Sequence, residues 1–113
     1  MDELEELLTQ NIEKFRNKIA EDEKLKEELK GTVREINIDV AGKEGFSFVL
    51  DNGDIRDFKH GMLDDAPIII SATEEDLIAL FKGELKPMKA WATKRLKVKA
   101  SFEDLMKLKK FLG

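Results

Sequence analysis

The sequence predicts an α+β fold in which a five-stranded, mainly antiparallel sheet is covered on one face by helices. Three patterns support this fold class. Apolar residues spaced by three and four predict helices at both ends of the chain. Alternating apolar residues predict strands between them, and glycine-containing turns join the first strands as hairpins. The length of 113 residues fits a single domain, residues 1–113.

Two helices are predicted at the N-terminus. The first spans residues 2–20, with Glu and Lys on its polar side. Its apolar stripe consists of Leu4, Leu7, Leu8, Ile12, Phe15 and Ile19. Asp22 caps a shorter second helix, which turns Leu25 and Leu29 inward and stops at Gly31.

A meander of three strands should follow these helices. The strands are expected at residues 32–40, 46–50 and 55–59. Gly42 and Gly45 allow positive φ in the first turn, and Asn52-Gly53 is a strong hairpin signal in the second. A loop is expected at residues 60–67.

The third strand contains an irregularity. Ile55 and Phe58 have opposite parity, which indicates either a bulge or a strand that is buried on both faces. Beyond the loop, Ile68–Ile70 form a short apolar strand. A helical crossover leads from this fourth strand to the fifth, so the two are expected to be parallel or separated in the sheet.

Residues 72–112 are predicted to form a helix, a short helix, a strand and a final helix. Thr73 is a good N-cap with Asp76 three residues later, and Gly83 is a natural stop. Pro87 suits the first position of the short helix, because that position needs no donated N–H. The fifth strand alternates Leu96, Val98 and Ala100 with basic residues, and Ser101 caps the last helix, with Glu103 and Asp104 in its first turn.

This stretch resembles the sterol carrier protein 2 (SCP2) lipid-binding domain. The resemblance rests on a helix ending near Gly83, the Lys-Pro-Met-Lys-Ala segment at 86–90, the Leu-Lys-Val-Lys strand at 96–99 and an apolar C-terminal helix. It covers residues 72–112 well and the full length in outline. The family often has glycine or another small residue where this chain has Lys94, and Gly-Asp in place of Ala100-Ser101.

The resemblance implies an apolar tunnel between sheet and helices. Such a tunnel holds a sterol, a fatty acid, an acyl-CoA or another lipid, and the family transports lipid rather than catalysing a reaction. Periodicity alone would place the apolar residues of this region in an ordinary core, but adaptable methionines and a tryptophan favour a pocket. The expected lining residues are Leu77, Leu80, Phe81, Met88, Trp91, Leu96, Phe102, Leu105 and Met106.

The chain offers little catalytic chemistry. It has one histidine, no cysteine and no tyrosine, and it contains no metal-binding motif. His60 is expected in a solvated loop, and neighbouring carboxylates such as Asp64 and Asp65 generally point apart. We therefore expect a protein that is not an enzyme and needs neither cofactor nor metal.

Charge is unevenly distributed along the chain. Residues 1–83 carry a net charge of −10 and residues 84–113 a net charge of +6, which together give −4. The overall acidity argues against nucleic-acid binding. The basic final quarter could face an anionic membrane through Lys107 and Lys110, or its lysines could simply be solvated.

The final helix leaves a second function open. Its apolar residues lie on more than one side, which suits a helix with the sheet on one flank and a ligand, membrane or protein partner on the other. The alternative to a lipid carrier is thus an interaction or accessory module that docks through this helix. The sequence predicts a monomer or weak dimer. The acidic N-terminus is unlike a signal peptide, which predicts a cytoplasmic location.

Overall fold

The computed structural model describes residues 2–112, which contain five helices and five strands. The helices are α1 (Glu3–Glu21), α2 (Glu23–Leu29), α3 (Glu74–Phe81), α4 (Pro87–Ala92) and α5 (Phe102–Leu112). The strands are β1 (Val33–Val40), β2 (Phe46–Asp51), β3 (Asp54–His60), β4 (Ile68–Ala72) and β5 (Lys97–Lys99). Within residues 2–112, every helix is too short or too polar to span a bilayer.

The five strands form one sheet in the order β3-β2-β1-β4-β5. Three of its four pairings are antiparallel, and only β1 and β4 run parallel. This confirms the α+β class and the mainly antiparallel five-stranded sheet. The parallel pair is β1 with β4, whereas the sequence analysis allowed for a parallel pairing of β4 with β5.

The expectation for β4 and β5 was wrong, because these strands are adjacent and antiparallel, with Ser71 opposite Lys97. Two helices lie between these strands in the chain. The chain therefore leaves the sheet at the end of β4 and returns to the same end of the sheet to begin β5. An ion pair links the beginning of this helical connection to its end. Arg95, which directly precedes Leu96 and β5, places Nη2 2.6 Å from Oδ1 of Asp76 in the first turn of α3.

The irregularity in β3 is a bulge. The pairing of β2 and β3 shifts register between Ser47 and Val49, and Asp57 has a φ of +58°. Ile55 is buried on the core side while Phe58 is half-buried. A bulge inserts one unpaired residue and so reverses the alternation, which explains the opposite parity of the two apolar residues.

The helices and one face of the sheet enclose the core. The predicted stripe of α1 is buried at Leu4, Leu8, Ile12, Phe15 and Ile19. Ile36, Ile38 and Val40 of β1 belong to the same cluster. Aromatic contacts join the layers at the C-terminus, where the ring of Phe111 in α5 lies 5.5 Å from Phe15 and 5.4 Å from Phe48 in β2.

The 61–67 loop packs on the sheet. The side-chain amide of Asn37 donates to the carbonyl oxygen of Leu63, and its oxygen accepts from the Leu63 N–H, both at 2.9 Å. The sequence predicted His60 in this loop, but it is instead the last residue of β3. Its ring lies 5.0 Å from that of Phe46, and Nε2 is 3.0 Å from Oε1 of Glu5 on α1.

Candidate functional site

The nine residues expected to line a tunnel fall into three classes of burial. Leu77, Leu80 and Leu96 are buried in the core, and Phe81 and Leu105 are half-buried. The other four are exposed, at 67% for Met88, 48% for Trp91, 77% for Phe102 and 50% for Met106. The elements from α3 to α5 therefore present large apolar side chains at every depth from closed core to solvent.

Helix α5 has two apolar faces. Successive residues of an α-helix are rotated by about 100°, so Leu108 and Phe111 lie together on the side that packs into the core. Phe102 and Met106 lie on the opposite side and are exposed. The sequence predicted apolar residues on more than one side of this helix, and the structure confirms it.

Helix α4 is short, and apolar side chains are exposed on one side of it. Pro87 occupies its first turn as predicted, and Ala90 is its only buried residue. Met88 and Trp91 are three residues apart, and both are exposed. Trp91 is therefore available to report on its surroundings by fluorescence.

Polar contacts hold α5 against the rest of the molecule. Asp104, which is 5% exposed, accepts from Arg34 of β1, whose Nε lies 3.0 Å from Oδ2. Ser101 caps the helix as predicted, since its Oγ accepts from the Asp104 N–H at 3.1 Å. Asn11 of α1 donates to the carbonyl oxygen of Phe111 at 3.0 Å.

Lys107 is hydrogen-bonded within the protein, whereas the sequence analysis expected it to be solvated or to face a membrane. Its Nζ lies 3.1 Å from Oγ1 of Thr32 and 3.3 Å from Oε1 of Glu103, and its side chain is only 17% exposed. The sequence placed it with the other lysines because helical spacing cannot show that Thr32, 75 residues earlier, lies beside it. Lys110 is exposed, as expected.

The pair of Asp76 and Arg95 fixes α3 to the start of β5. Two guanidinium nitrogens of Arg95 approach one oxygen of Asp76, at 2.6 and 3.2 Å. The hydrogen bond from Arg95 lowers the pKa of Asp76, and the hydrogen bond to Asp76 raises the pKa of Arg95. Both groups are therefore ionised at neutral pH, and the pair links the first turn of α3 to the residue that precedes Leu96.

Two hollows lie away from the expected lining residues. An open groove of about 700 Å³ involves β1, β2, β3 and the 61–67 loop, and Val49, Phe58 and Leu63 contribute apolar surface to it. A smaller hollow of about 160 Å³ includes Leu4 and His60. The sequence analysis missed both, because each depends on segments that only the folded topology brings together.

Sequence comparison matches this chain to one protein family and to a longer relative. A family model described as the SCP-2 sterol transfer family matches residues 12–113. Hydroxysteroid dehydrogenase-like protein 2 of Rattus norvegicus is 30% identical over 100 residues, which is 84% of this chain and 18% of that protein. This chain thus spans less than a fifth of that relative.

Solved structures share the fold. The sec-alkylsulfatase Pisa1 from Pseudomonas sp. superposes with a TM-score of 0.59 at 17% identity, covering 77% of this chain and 14% of the sulfatase. Sterol carrier protein 2 from Aedes aegypti, in complex with palmitate, superposes with a TM-score of 0.52 at 17% identity. That match covers 79% of this chain and 87% of the mosquito protein. At these identities the likeness establishes the fold alone.

Proposed function

Because the chain belongs to the SCP-2 sterol transfer family, whose model matches residues 12–113, we propose that it is a non-enzymatic carrier of an apolar lipid. The ligand is a fatty acid, an acyl-CoA, a sterol or a lipid of similar polarity. The observation that carries this proposal is the graded burial of apolar side chains along α3, α4 and α5, from Leu77 in the core through the half-buried Leu105 to Trp91 in solvent.

The proposed site lies along the inner flank of α5. The half-buried residues Phe81 and Leu105 mark the boundary between the core and the exposed side chains, so a lipid tail entering there extends the existing core. Helix α5 moves outward to admit the tail, and Met88 and Trp91 of α4 then cover it. In this proposal seven of the nine expected residues contact the ligand or form the wall behind it, and the two exposed residues of α5 face away from it.

Burial of apolar surface supplies the binding energy in this arrangement. Each 100 Å² of apolar surface removed from water contributes about 2.5 kcal/mol before the cost of ordering the lipid and moving the helix. Selectivity should be broad, since one methylene group in an apolar pocket changes affinity only by about 1–3 kcal/mol. The residue inventory agrees with a carrier, because the chain has one histidine and neither cysteine nor tyrosine.

Native mass spectrometry tests the proposal. The delipidated protein is mixed with palmitate or cholesterol and sprayed under non-denaturing conditions. We expect a one-to-one complex with at least one of these lipids. A protein that stays free with both, at ligand concentrations in the micromolar range typical of a modest apolar site, contradicts the proposed carrier function.

A second candidate function is that of an accessory module which presents lipid to an enzyme. It is supported by the two matches in which this fold occupies a small part of a larger protein, at 18% and 14% of their lengths. An immunoblot of the native source separates the two cases. A polypeptide far larger than 12.9 kDa, or stable co-elution with an enzyme, favours the accessory role, whereas a free small protein contradicts it.

A further inference from the structure

The outward face of α5 combines large apolar side chains with lysines. Taking 100° per residue, Phe102, Met106, Lys109 and Lys110 fall within one arc opposite the buried Leu108. All four are exposed, with Phe102 at 77% and Met106 at 50%. Phe102 and Met106 lie one helical turn apart and so form a contiguous exposed apolar patch, which is a feature of interaction surfaces.

The lysines of this face carry uncompensated charge. Neither Lys109 nor Lys110 forms an ion pair with a carboxylate in residues 2–112. The two acidic residues of α5 are already engaged, since Asp104 pairs with Arg34 and Glu103 with Lys107. The unpaired charge at the surface of α5 is therefore positive.

Strand β5, which precedes α5 in the chain, adds two further exposed lysines. Lys97 and Lys99 of β5 are exposed, and Lys99 precedes Phe102 by three residues. Residues 84–113 as a whole carry +6, while the rest of the chain carries −10. Residues 84–113 therefore carry an excess of positive charge, which an anionic layer attracts.

We propose that the outward face of α5, formed by Phe102, Met106, Lys109 and Lys110, docks on an anionic lipid bilayer. Phe102 and Met106 enter the interfacial region, and the lysine stems lie along it with their ammonium groups at the lipid phosphates. The sequence predicted that Lys107 contacts the membrane, but its ammonium group is bound to Thr32 and Glu103. In this proposal Lys109 makes the membrane contact instead.

Charge favours a bilayer over a second copy of this chain. In a twofold dimer the same face meets itself, so Lys109 and Lys110 would oppose like charges. Lysine is also depleted at protein interfaces in general. An anionic bilayer instead attracts each lysine near its surface and accommodates the apolar side chains between its headgroups.

Vesicle flotation tests the proposal without any bound lipid cargo. The delipidated protein is mixed with vesicles of phosphatidylcholine and phosphatidylglycerol, or of phosphatidylcholine alone, at low and high salt. We expect binding to the anionic vesicles that weakens with salt. Lys109→Glu with Lys110→Glu should weaken that binding by roughly 30-fold or more at low salt, given the attraction of each lysine to such a surface.

Matched variants separate the face from net charge. Lys24→Glu with Lys59→Glu makes the same change in charge at exposed positions of α2 and β3 and should weaken vesicle binding by less than about threefold, because these sites lie outside the docking face. Phe102→Ser with Met106→Ser should weaken it strongly while leaving the circular dichroism spectrum unchanged. Equal losses for both lysine pairs would overturn the proposal.

Two further results also count against it. Equal binding to neutral and anionic vesicles contradicts the role of the lysines. A dimer in sedimentation velocity that Phe102→Ser dissociates would mean that the face meets a second copy. Palmitate binding by the same variants is measured in the absence of vesicles, so a failure of docking is distinguishable from a failure of the carrier function.

Discussion

Lys94 occupies a backbone position that suits glycine. It follows the C-cap Thr93 of α4 and has a φ of +63°, in the left-handed region that costs a residue with a Cβ about 1–2 kcal/mol. The resemblance to the SCP2 domain implies glycine or a small residue here, and the positive φ is a physical reason for that preference, so Lys94 carries strain that glycine would not. Helices commonly end with a glycine in this conformation.

We predict that Lys94→Gly stabilises the protein by about 0.5–1 kcal/mol, the relief of strain less the greater entropy of an unfolded glycine. Urea unfolding at neutral pH measures the change. Lys97→Gly is the matched control, and it should destabilise by about 0.5–1 kcal/mol because it lies within a strand. A loss of stability in Lys94→Gly contradicts this account of the turn.

The pair of Asp76 and Arg95 makes stability depend on pH. The hydrogen bond from Arg95 lowers the pKa of Asp76 in the folded protein, so the folded state binds a proton less readily than the unfolded state. The resulting stabilisation is present above the unfolded pKa of about 3.9 and is lost as pH falls through the lower folded value. Arg95 stays charged throughout this range.

Asp76→Asn should therefore cost about 0.5–1 kcal/mol at pH 7, as expected for an ion pair at the surface. The difference from the parent should shrink as pH falls below the unfolded pKa of about 3.9, because Asp76 then takes up a proton in the unfolded state and, at its lower folded pKa, in the folded state as well. Urea unfolding of both proteins across this pH range measures it. A cost that is the same at pH 7 and in acid would show that the charge of Asp76 is not what stabilises α3 against β5.

At the scale of elements, local signals predicted where helices and strands begin and end. Asp2, Asp22, Thr73 and Ser101 each accept a backbone N–H at a helix start, and each cap works within three or four residues. The partners of β4 and the hydrogen bonds of Lys107 could not be predicted in this way. They depend on residues far apart in sequence, which neither spacing nor propensity specifies.

Helix α5 shows both a local signal that the sequence predicted and a long-range contact that it did not. The sequence placed Asp104 in the first turn of the helix as a favourable anion, but its partner Arg34 lies 70 residues away. The contact buries Asp104 and holds the helix to β1. The pair therefore links α5 to β1, which the cap within the helix cannot do.

We predict that Asp104→Ala destabilises the protein by about 2 kcal/mol, because it leaves the partly buried guanidinium of Arg34 without its carboxylate. Amides of α5 should then exchange with deuterium faster than those of β2. Glu103→Ala, next in the chain but exposed, should cost less than about 0.5 kcal/mol. Equal effects of the two substitutions would mean that the pair with Arg34 does not hold α5.

At the scale of the whole molecule, periodicity predicted the layers but not the surface. Spacing shows which residues share a face of a helix, and this was enough to bring Leu77, Leu80 and Leu96 into the core. It cannot show whether a neighbouring element covers a face, so Met88 and Phe102 were grouped with buried residues. The groove beside the 61–67 loop was missed for the same reason, since it exists only once the loop packs on the sheet.

The most direct test of the account is a titration of the delipidated protein with a fluorescent fatty acid, followed by the emission of Trp91. We predict micromolar-range binding that alters Trp91 emission in the parent and weakens at least about tenfold in Leu105→Glu, where a carboxylate would have to be buried against the lipid. Ile69→Glu is the control, because Ile69 is also half-buried but lies on β4 rather than on α5, and it should bind as the parent does. Equal affinity of the two folded variants, or no binding by the parent, would contradict the proposal that lipid binds along α5.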